Sequence, residues 1–219
     1  MQKVLEFLKD LAENNNKPWF DENRDKYHIA KKEIETFTIK LIQEFGEIEP
    51  SIANLEAKEC LFRINRDVRF SKDKSPYKTN FGISINPGGK KSDLAGYYIH
   101  IEPGKSFVGG GMWMPMPEQL GKIRQEIDYN LEQFEELIKA PAFKKQYGTL
   151  NSGKEISLVR VPKGYEADSP AAEYLKLKSF TATKPLPDST IASKEFIEHC
   201  TTAFKALKPL IGFLNQGLL

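Results

Sequence analysis

The stretch that decides the fold is TNFGISINPGGKKSDLAGYYIHIEPGKSFVGGGMW, residues 79–113. Within it, apolar and polar residues alternate over residues 80–86 and 97–102, and this period of about two residues is typical of strands with one buried face. A third strand is predicted at residues 106–113. The connecting segments NPGGKKSDLAG and EPGK are rich in residues that form turns. Successive strands joined by short turns predict an antiparallel meander.

Helical patterns precede this stretch. Apolar residues recur every three or four positions over residues 4–11, and the Asn run at 14–16 follows them, which predicts a short first helix. A longer pattern of the same period runs from Pro18 to Gly46. Because proline suits a first helical position and glycine often follows the last one, these residues predict the limits of a long second helix.

Mixed patterns follow the stretch. Helices are predicted after Pro115 and Pro117, and residues 196–211 predict a closing amphipathic helix that continues through Pro209. Further alternating segments predict additional strands at 62–70, 156–161 and 174–184.

These elements predict one α+β domain over residues 1–219, with helices at both ends and a sheet in the middle. We expect a largely antiparallel sheet of four to six strands, with the N- and C-terminal helices packed on one face. A chain of 219 residues is long enough to bury one sizeable core. The three parts are a helical part at 1–58, a sheet-rich part at 59–114, and a helical and mixed part at 115–219.

Composition and motifs exclude several classes of protein. Hydrophobic residues make up 40% of the chain and charged residues 28%, as in ordinary globular proteins. Charged residues interrupt the apolar residues of the N-terminal segment, and no apolar run approaches the length of a spanning helix. We therefore expect a cytoplasmic protein with no membrane partner.

Metal and hydrolase motifs are also missing from the sequence. Only Cys60 and Cys200 are present, far apart, and there is no HExxH, CxxC or GxSxG motif. We therefore predict no metal site. The sequence leaves the cofactor, the oligomeric state and the question of enzymatic activity open.

Positive charge is concentrated in one segment. Residues 63–78 hold six Lys or Arg and two Asp, a net charge of +4, whereas the whole chain carries only +2. Guanidinium groups donate paired hydrogen bonds that suit phosphate or carboxylate groups. We therefore predict an anionic small molecule as the ligand. The candidate ligand-binding residues are Arg63, Asn65, Arg66, Asp67, Arg69, Lys74 and Lys78.

Three further residues are candidates for orienting the ligand or transferring protons. His100 and Glu102 share one face of a predicted strand, and a carboxylate beside an imidazole favours acid–base chemistry. Tyr77 lies between Lys74 and Lys78 in the KSPYK segment. The alternatives are that His100 is only hydrogen-bonded between strands and that Tyr77 belongs to a rigid proline turn.

Two other functions remain open from the same residues. One is a nucleic-acid-binding module in which the cations contact phosphates while Tyr77, Tyr98 or Trp19 stack on bases. The other is a scaffold or interaction protein in which Asp67 pairs with Arg63 or Arg69 to hold the structure together.

Four motifs resemble a known family. They are NNNKPWFDENRDKY, RINRDVRFSKDKSPYKTNFG, YYIHIEPGKSFVGGGMWMP and YLKLKSF, and together they are similar to the bacterial and fungal family of domain of unknown function 2461. The resemblance covers most of the chain. It identifies relatives but implies no catalytic role for any residue.

Overall fold

The structure is a computed structural model that describes residues 1–218. It contains ten α-helices and four strands in these residues, together with a short 3-10 turn at Pro50–Ile52. In chain order they are α1 (Gln2–Glu13), α2 (Lys17–Glu22), α3 (Arg24–Gly46), α4 (Ala57–Cys60), β1 (Phe81–Ile85), β2 (Gly96–Ile101), β3 (Phe107–Met112), α5 (Pro117–Tyr129), α6 (Leu131–Lys139), α7 (Pro141–Tyr147), α8 (Ala172–Leu175), β4 (Phe180–Pro185), α9 (Asp188–Ala192) and α10 (Phe196–Gln216).

The four strands form one antiparallel sheet in the order β1-β2-β3-β4. The predicted α+β class and the meander of the first three strands are therefore confirmed. The packing of the terminal helices on one face and the single-domain organisation stay predictions. None of the helices in residues 1–218 combines the length and the apolar character needed to cross a membrane.

The chain divides into two compact units built from separate segments. The first unit comprises residues 1–91, 98–108 and 185–201, and the second comprises residues 92–97, 109–184 and the chain from Thr202 on.

Helices α1 and α3 build the core of the first unit. Leu8 and Leu11 on α1 and Ile34 on α3 are buried, because apolar residues at helical spacing share one helix face. The ring of Phe7 lies 6.5 Å from that of Phe81 on β1, so α1 also covers the apolar side of this strand.

A run of glycines shapes the second unit. A Cβ atom at Gly109 would lie 2.2 Å from the carbonyl oxygen of Ala182 on β4, and one at Gly110 would lie 2.3 Å from that of Gly96 on β2. Only glycine permits this close approach of neighbouring backbones. Trp113, which follows β3 directly, is 64% exposed.

The predicted strand at 62–70 is wrong. This segment is a loop, attached by isolated bridges between Leu61 and Ile83 and between Asn65 and Tyr77. Ile64 is buried, but Phe70 is 94% exposed, so the apolar alternation does not mark a buried face.

Local hydrogen bonds explain the loop. Oδ1 of Asp67 accepts from the backbone N–H of Arg69 at 3.2 Å, and Oδ1 of Asp73 accepts from that of Ser75 at 2.9 Å. Such bonds from a side chain to the backbone compete with strand pairing.

Three other elements differ in extent from the sequence prediction. The long second helix is divided at Asn23 into α2 and α3. The segment 174–184 begins in α8 and becomes a strand only at Phe180, and the segment 156–161 contributes a single bridge from Ser157 to Leu177. The closing helix α10 contains Pro209, as predicted.

Candidate functional site

The site lies in the first unit, on the polar side of β1 and β2. Because side chains two residues apart in a strand point to the same face, Tyr98 and His100 lie beside each other, with ring centroids 6.3 Å apart. The ring of His100 also stacks on Phe107 at the start of β3, with centroids 4.9 Å apart and planes at 8°. The aromatic neighbours fix the orientation of the imidazole.

Gly82 makes room for the hydroxyl of Tyr98. A Cβ atom at Gly82 would lie 2.5 Å from this hydroxyl oxygen and 3.2 Å from the ring of Phe62. Burial raises the pKa of the Tyr98 hydroxyl, so Tyr98 is uncharged at neutral pH.

His100 and Glu102 form a hydrogen-bonded pair. The distance between Nε2 of His100 and Oε2 of Glu102 is 3.0 Å, and their side chains are 18% and 22% exposed. Nδ2 of Asn80 lies 3.4 Å from Nδ1 of His100. This geometry fits an imidazole that donates from Nε2 and accepts at Nδ1.

The carboxylate of Glu102 is held by further groups. The hydroxyl of Thr79 donates to Oε1 at 3.1 Å, and Nζ of Lys105 lies 3.8 Å from the same oxygen. Burial alone raises the pKa of Glu102, but the hydrogen bonds from His100 and Thr79, together with the charge of Lys105, outweigh it and lower this pKa. Glu102 is therefore ionised at neutral pH.

A hollow of about 380 Å³ adjoins this pair. Its lining is mostly polar and consists of Arg66, Asp67, Lys78, Thr79 and Asn80. Thr79 and Asn80 therefore both line the hollow and contact the pair of His100 and Glu102. The loop at 62–78, the residues before β1, and the end of β2 meet at this point.

Several of the predicted cations are engaged within the loop. Arg66 pairs with Asp73, and Arg69 binds both carboxylate oxygens of Asp67, with distances of 2.9 Å and 2.6 Å. Nζ of Lys74 donates to the backbone carbonyl of Val68 at 2.9 Å. The pairing of Asp67 with Arg69 is one that the sequence offered as a structural alternative.

Lys78 and Arg63 differ from these cations. Within residues 1–218, neither has a carboxylate at ion-pair distance. Nζ of Lys78 lies 5.5 Å from the centroid of the Phe62 ring. Partial burial, and then the nearby charge of Arg63, lower the pKa of Lys78. A bound anion would relieve both effects, because it would offset the desolvation and the repulsion.

Tyr77 lies elsewhere. It is buried, and its ring stacks on that of Phe20 with centroids 4.0 Å apart. Asn15 holds its backbone through two hydrogen bonds of 2.9 Å and 3.1 Å.

Asn65 is exposed and bridges to Tyr77 through its backbone. Trp19 packs against Phe7, with centroids 6.3 Å apart.

Sequence reasoning did not select Thr79 and Asn80 as site residues. A signal for Asn80 was available, since it alternates with Gly82 and Ser84 on the polar side of β1. No pattern points to Thr79, whose role depends on a contact with Glu102, 23 residues later in the chain.

Neither cysteine is a candidate nucleophile. Both are buried, and burial raises the pKa of Cys60 to about 11 and that of Cys200 further. Since the thiolate is the reactive form, these thiols are unreactive at neutral pH.

Comparison with curated proteins and with solved structures found no match. A family model described as "Conserved hypothetical protein (DUF2461)" matches residues 3–213. Nearly the whole chain is covered, as the four motifs predicted. The chain belongs to the DUF2461 family.

Proposed function

We propose that this protein binds a ligand bearing a phosphate or carboxylate group in the hollow next to His100 and Glu102. The observation that carries the proposal is Lys78, a partly buried cation in the lining of the hollow that has no carboxylate partner within residues 1–218. Placing a charge in a desolvated position is unfavourable unless it is compensated. An anionic ligand would compensate it.

Other groups of the lining suit the same ligand. Arg66 has five N–H donors, and its contact with Asp73 leaves others for a second anion. The hydroxyl of Thr79 and the amide of Asn80 can orient neutral parts of the ligand. Arg63 adds a nearby positive charge. Arg69 and Lys74 hold the loop in place and would act indirectly.

His100 and Glu102 give the site a group that can exchange protons. Glu102 holds the imidazole by a hydrogen bond at Nε2, and an oriented imidazole is suited to general acid–base chemistry. Whether this pair transforms the ligand or only orients it depends on the ligand. The cytoplasmic location and the single domain expected from the sequence are part of this proposal.

Thermal unfolding in the presence of anions tests the proposal. Phosphate, pyrophosphate, sugar phosphates and organic acids should be compared, because a ligand that binds the native state raises its unfolding temperature. We expect a saturable rise with at least one class and a smaller rise for the Lys78→Gln variant. A Lys72→Gln variant, changed at an exposed lysine of the same loop outside the hollow, is the control. Equal responses of the two variants would contradict the proposal.

Phe70 favours nucleic acid as a second candidate ligand. Its ring is almost fully exposed, and the guanidinium carbon of Arg69 lies 5.8 Å from its centroid. Exposed aromatic rings next to cations stack on bases of single strands. We expect a labelled single-stranded oligonucleotide to bind at low salt, and binding to weaken for Phe70→Ala, if this candidate is correct. No binding at low salt would exclude it.

A structural role for the charged loop is the third candidate. The pairs of Arg69 with Asp67 and of Arg66 with Asp73 support it. In that case Arg69→Ala should lower the unfolding temperature while no anion raises that of the wild type. Stabilisation of the wild type by an anion would argue against a purely structural loop.

A further inference from the structure

A second concave surface lies in the first unit and shares no residue with the hollow. It is a groove of about 520 Å³ lined by residues of α1, α3, the start of α10 and the segment just before α10. Its floor contains the rings of Phe37 and Phe196, which stack with centroids 4.5 Å apart and planes at 11°. Ile29 and Ile197 extend the apolar surface. The groove therefore offers an apolar base to a ligand.

Helical spacing explains which residues face the groove. On α3, the lining residues recur every three or four positions, and residues at this spacing lie on one side of a helix. Lys32 and Lys40 are two turns apart on this side, with Thr36 between them. The groove residues of α3 are Ile29, Lys32, Glu33, Thr36, Phe37 and Lys40.

The groove carries an excess of positive charge. Lys3, Lys32, Lys40 and Lys194 line it, and no carboxylate within residues 1–218 lies at ion-pair distance from any of them. Glu33, the one acid in the lining, pairs with the amino group of Met1. The four lysines are therefore left as uncompensated charge around an apolar floor.

Other lysines on the same helices are compensated. Nζ of Lys31 lies 3.6 Å from a carboxylate oxygen of Glu35, and Nζ of Lys26 lies 3.0 Å from one of Asp10. Lys31 and Lys32 are adjacent in sequence, but only Lys32 lies on the side of α3 that faces the groove, and only Lys31 has a carboxylate partner within residues 1–218.

Two polar atoms in the lining also have no partner. The hydroxyl oxygen of Ser193 and Oε2 of Glu33 are buried and make no hydrogen bond within residues 1–218. Buried polar atoms in native proteins are nearly always hydrogen-bonded, so each exception needs an explanation. A carboxylate head group seated in the groove can accept a hydrogen bond from the Ser193 hydroxyl. Oε2 of Glu33 is an acceptor and gains no partner from such a ligand, so of the two atoms only Ser193 supports an anion.

From these observations we propose that the groove binds an amphipathic organic anion, with its apolar part on Phe37 and Phe196 and its carboxylate among the lysines. A small inorganic anion would leave the apolar floor unused, and a neutral apolar ligand would leave the lysines unpaired. The volume lies within the range of about 300–1,000 Å³ that small-molecule sites occupy. A medium-chain fatty carboxylate has the required chemistry, and decanoate is the probe of choice.

Titration calorimetry with three probes tests the proposal. Decanoate carries both the chain and the charge, decanol carries only the chain, and acetate carries only the charge. We expect saturable binding of decanoate below its micelle concentration and no measurable binding of acetate. Decanol should bind more weakly than decanoate, by about threefold or more, because it lacks the charge.

Variants locate the binding. Lys32→Gln combined with Lys40→Gln should weaken decanoate binding by about threefold to tenfold, whereas Lys31→Gln should leave it unchanged. Thr36→Phe, which places a ring in the groove, should weaken binding of decanoate and decanol alike. The proposal would be overturned if decanoate does not bind, or if acetate binds as decanoate does. It would also be overturned if decanoate binding is unchanged both in the Lys32→Gln, Lys40→Gln double variant and in Thr36→Phe.

Discussion

Nε2 of His100 and Oε2 of Glu102 lie 3.0 Å apart at the end of β2, and the two residues are two positions apart in the chain. Strand geometry places them on the same face. Thr79, from the residues before β1, completes the arrangement by donating to the other oxygen of Glu102. The carboxylate thus connects the imidazole to a residue that lines the hollow.

Replacing Glu102 with Gln should remove a contribution to stability that depends on pH. Since the folded-state pKa of Glu102 lies below its ordinary value, its contribution is present above the unfolded-state pKa and is lost as pH falls through the folded-state pKa. At neutral pH we expect Glu102→Gln to lower the free energy of unfolding by about 1–2 kcal/mol. The difference from wild type should shrink below about pH 4.

Urea unfolding at neutral and acidic pH measures this effect. Glu118→Gln is the matched control, because Glu118 is highly exposed and its contact with Lys122 at 3.6 Å is a surface pair. An offset between Glu102→Gln and wild type that stays the same at both pH values would show that ionisation of Glu102 is not its cause.

Gly82→Ala should be destabilising because its methyl group would meet the hydroxyl of Tyr98 and the ring of Phe62. Overpacking of this kind costs about 1–3 kcal/mol. Tyr98→Phe removes the closest atom, so Gly82→Ala should cost less in that background. A double-mutant cycle measured by urea unfolding checks this coupling. Additive effects of the two changes would contradict it.

Ser75→Ala should raise the pKa of Asp73. The side chain and then the backbone N–H of Ser75, followed by Arg66, lower this pKa to about 2. Removing the hydroxyl removes one hydrogen bond to the ionised carboxylate, and the pKa should move towards its ordinary range. NMR titration of the Asp73 carboxyl carbon gives the value directly, and Ser71→Ala in the same loop is the control. An unchanged pKa in Ser75→Ala would mean that the loop is arranged differently.

Anion binding should depend on the ionisation of Lys78. Burial and Arg63 lower its pKa, so its charge is lost at a lower pH than that of an exposed lysine. The affinity for sulfate, which keeps its charge over this range, should therefore fall by about threefold to tenfold as pH rises through the pKa of Lys78.

Lys78→Arg provides the comparison for this pH dependence. Arginine stays charged at alkaline pH, so the variant should retain sulfate affinity where the wild type loses it. Parallel pH profiles for the wild type and Lys78→Arg would assign the dependence to another group.

Alternation of apolar and polar residues was sufficient to predict β1 and β2. The burial of their side chains agrees with the alternation. Ile83, Ile99 and Ile101 are buried, whereas Tyr98 and His100 face the polar side. The contact of His100 with Glu102 was predictable for the same reason, since both residues belong to one strand pattern.

The loop at 62–78 could not be predicted in the same way. Its alternation resembles that of a strand, but side chains of Asp67 and Asp73 bind nearby backbone N–H groups instead. Contacts distant in sequence decide the rest. The stacking of Tyr77 on Phe20 places the tyrosine in the core, and no local pattern distinguishes it from an exposed turn residue.

Calorimetric titration of pyrophosphate into the wild type, Lys78→Gln and Lys72→Gln tests the central claim most directly. If Lys78 binds an anion in the hollow, the wild type and Lys72→Gln should bind with the same Kd, and Lys78→Gln should bind about tenfold more weakly. Equal Kd values for all three proteins, or no binding to the wild type, would contradict the claim.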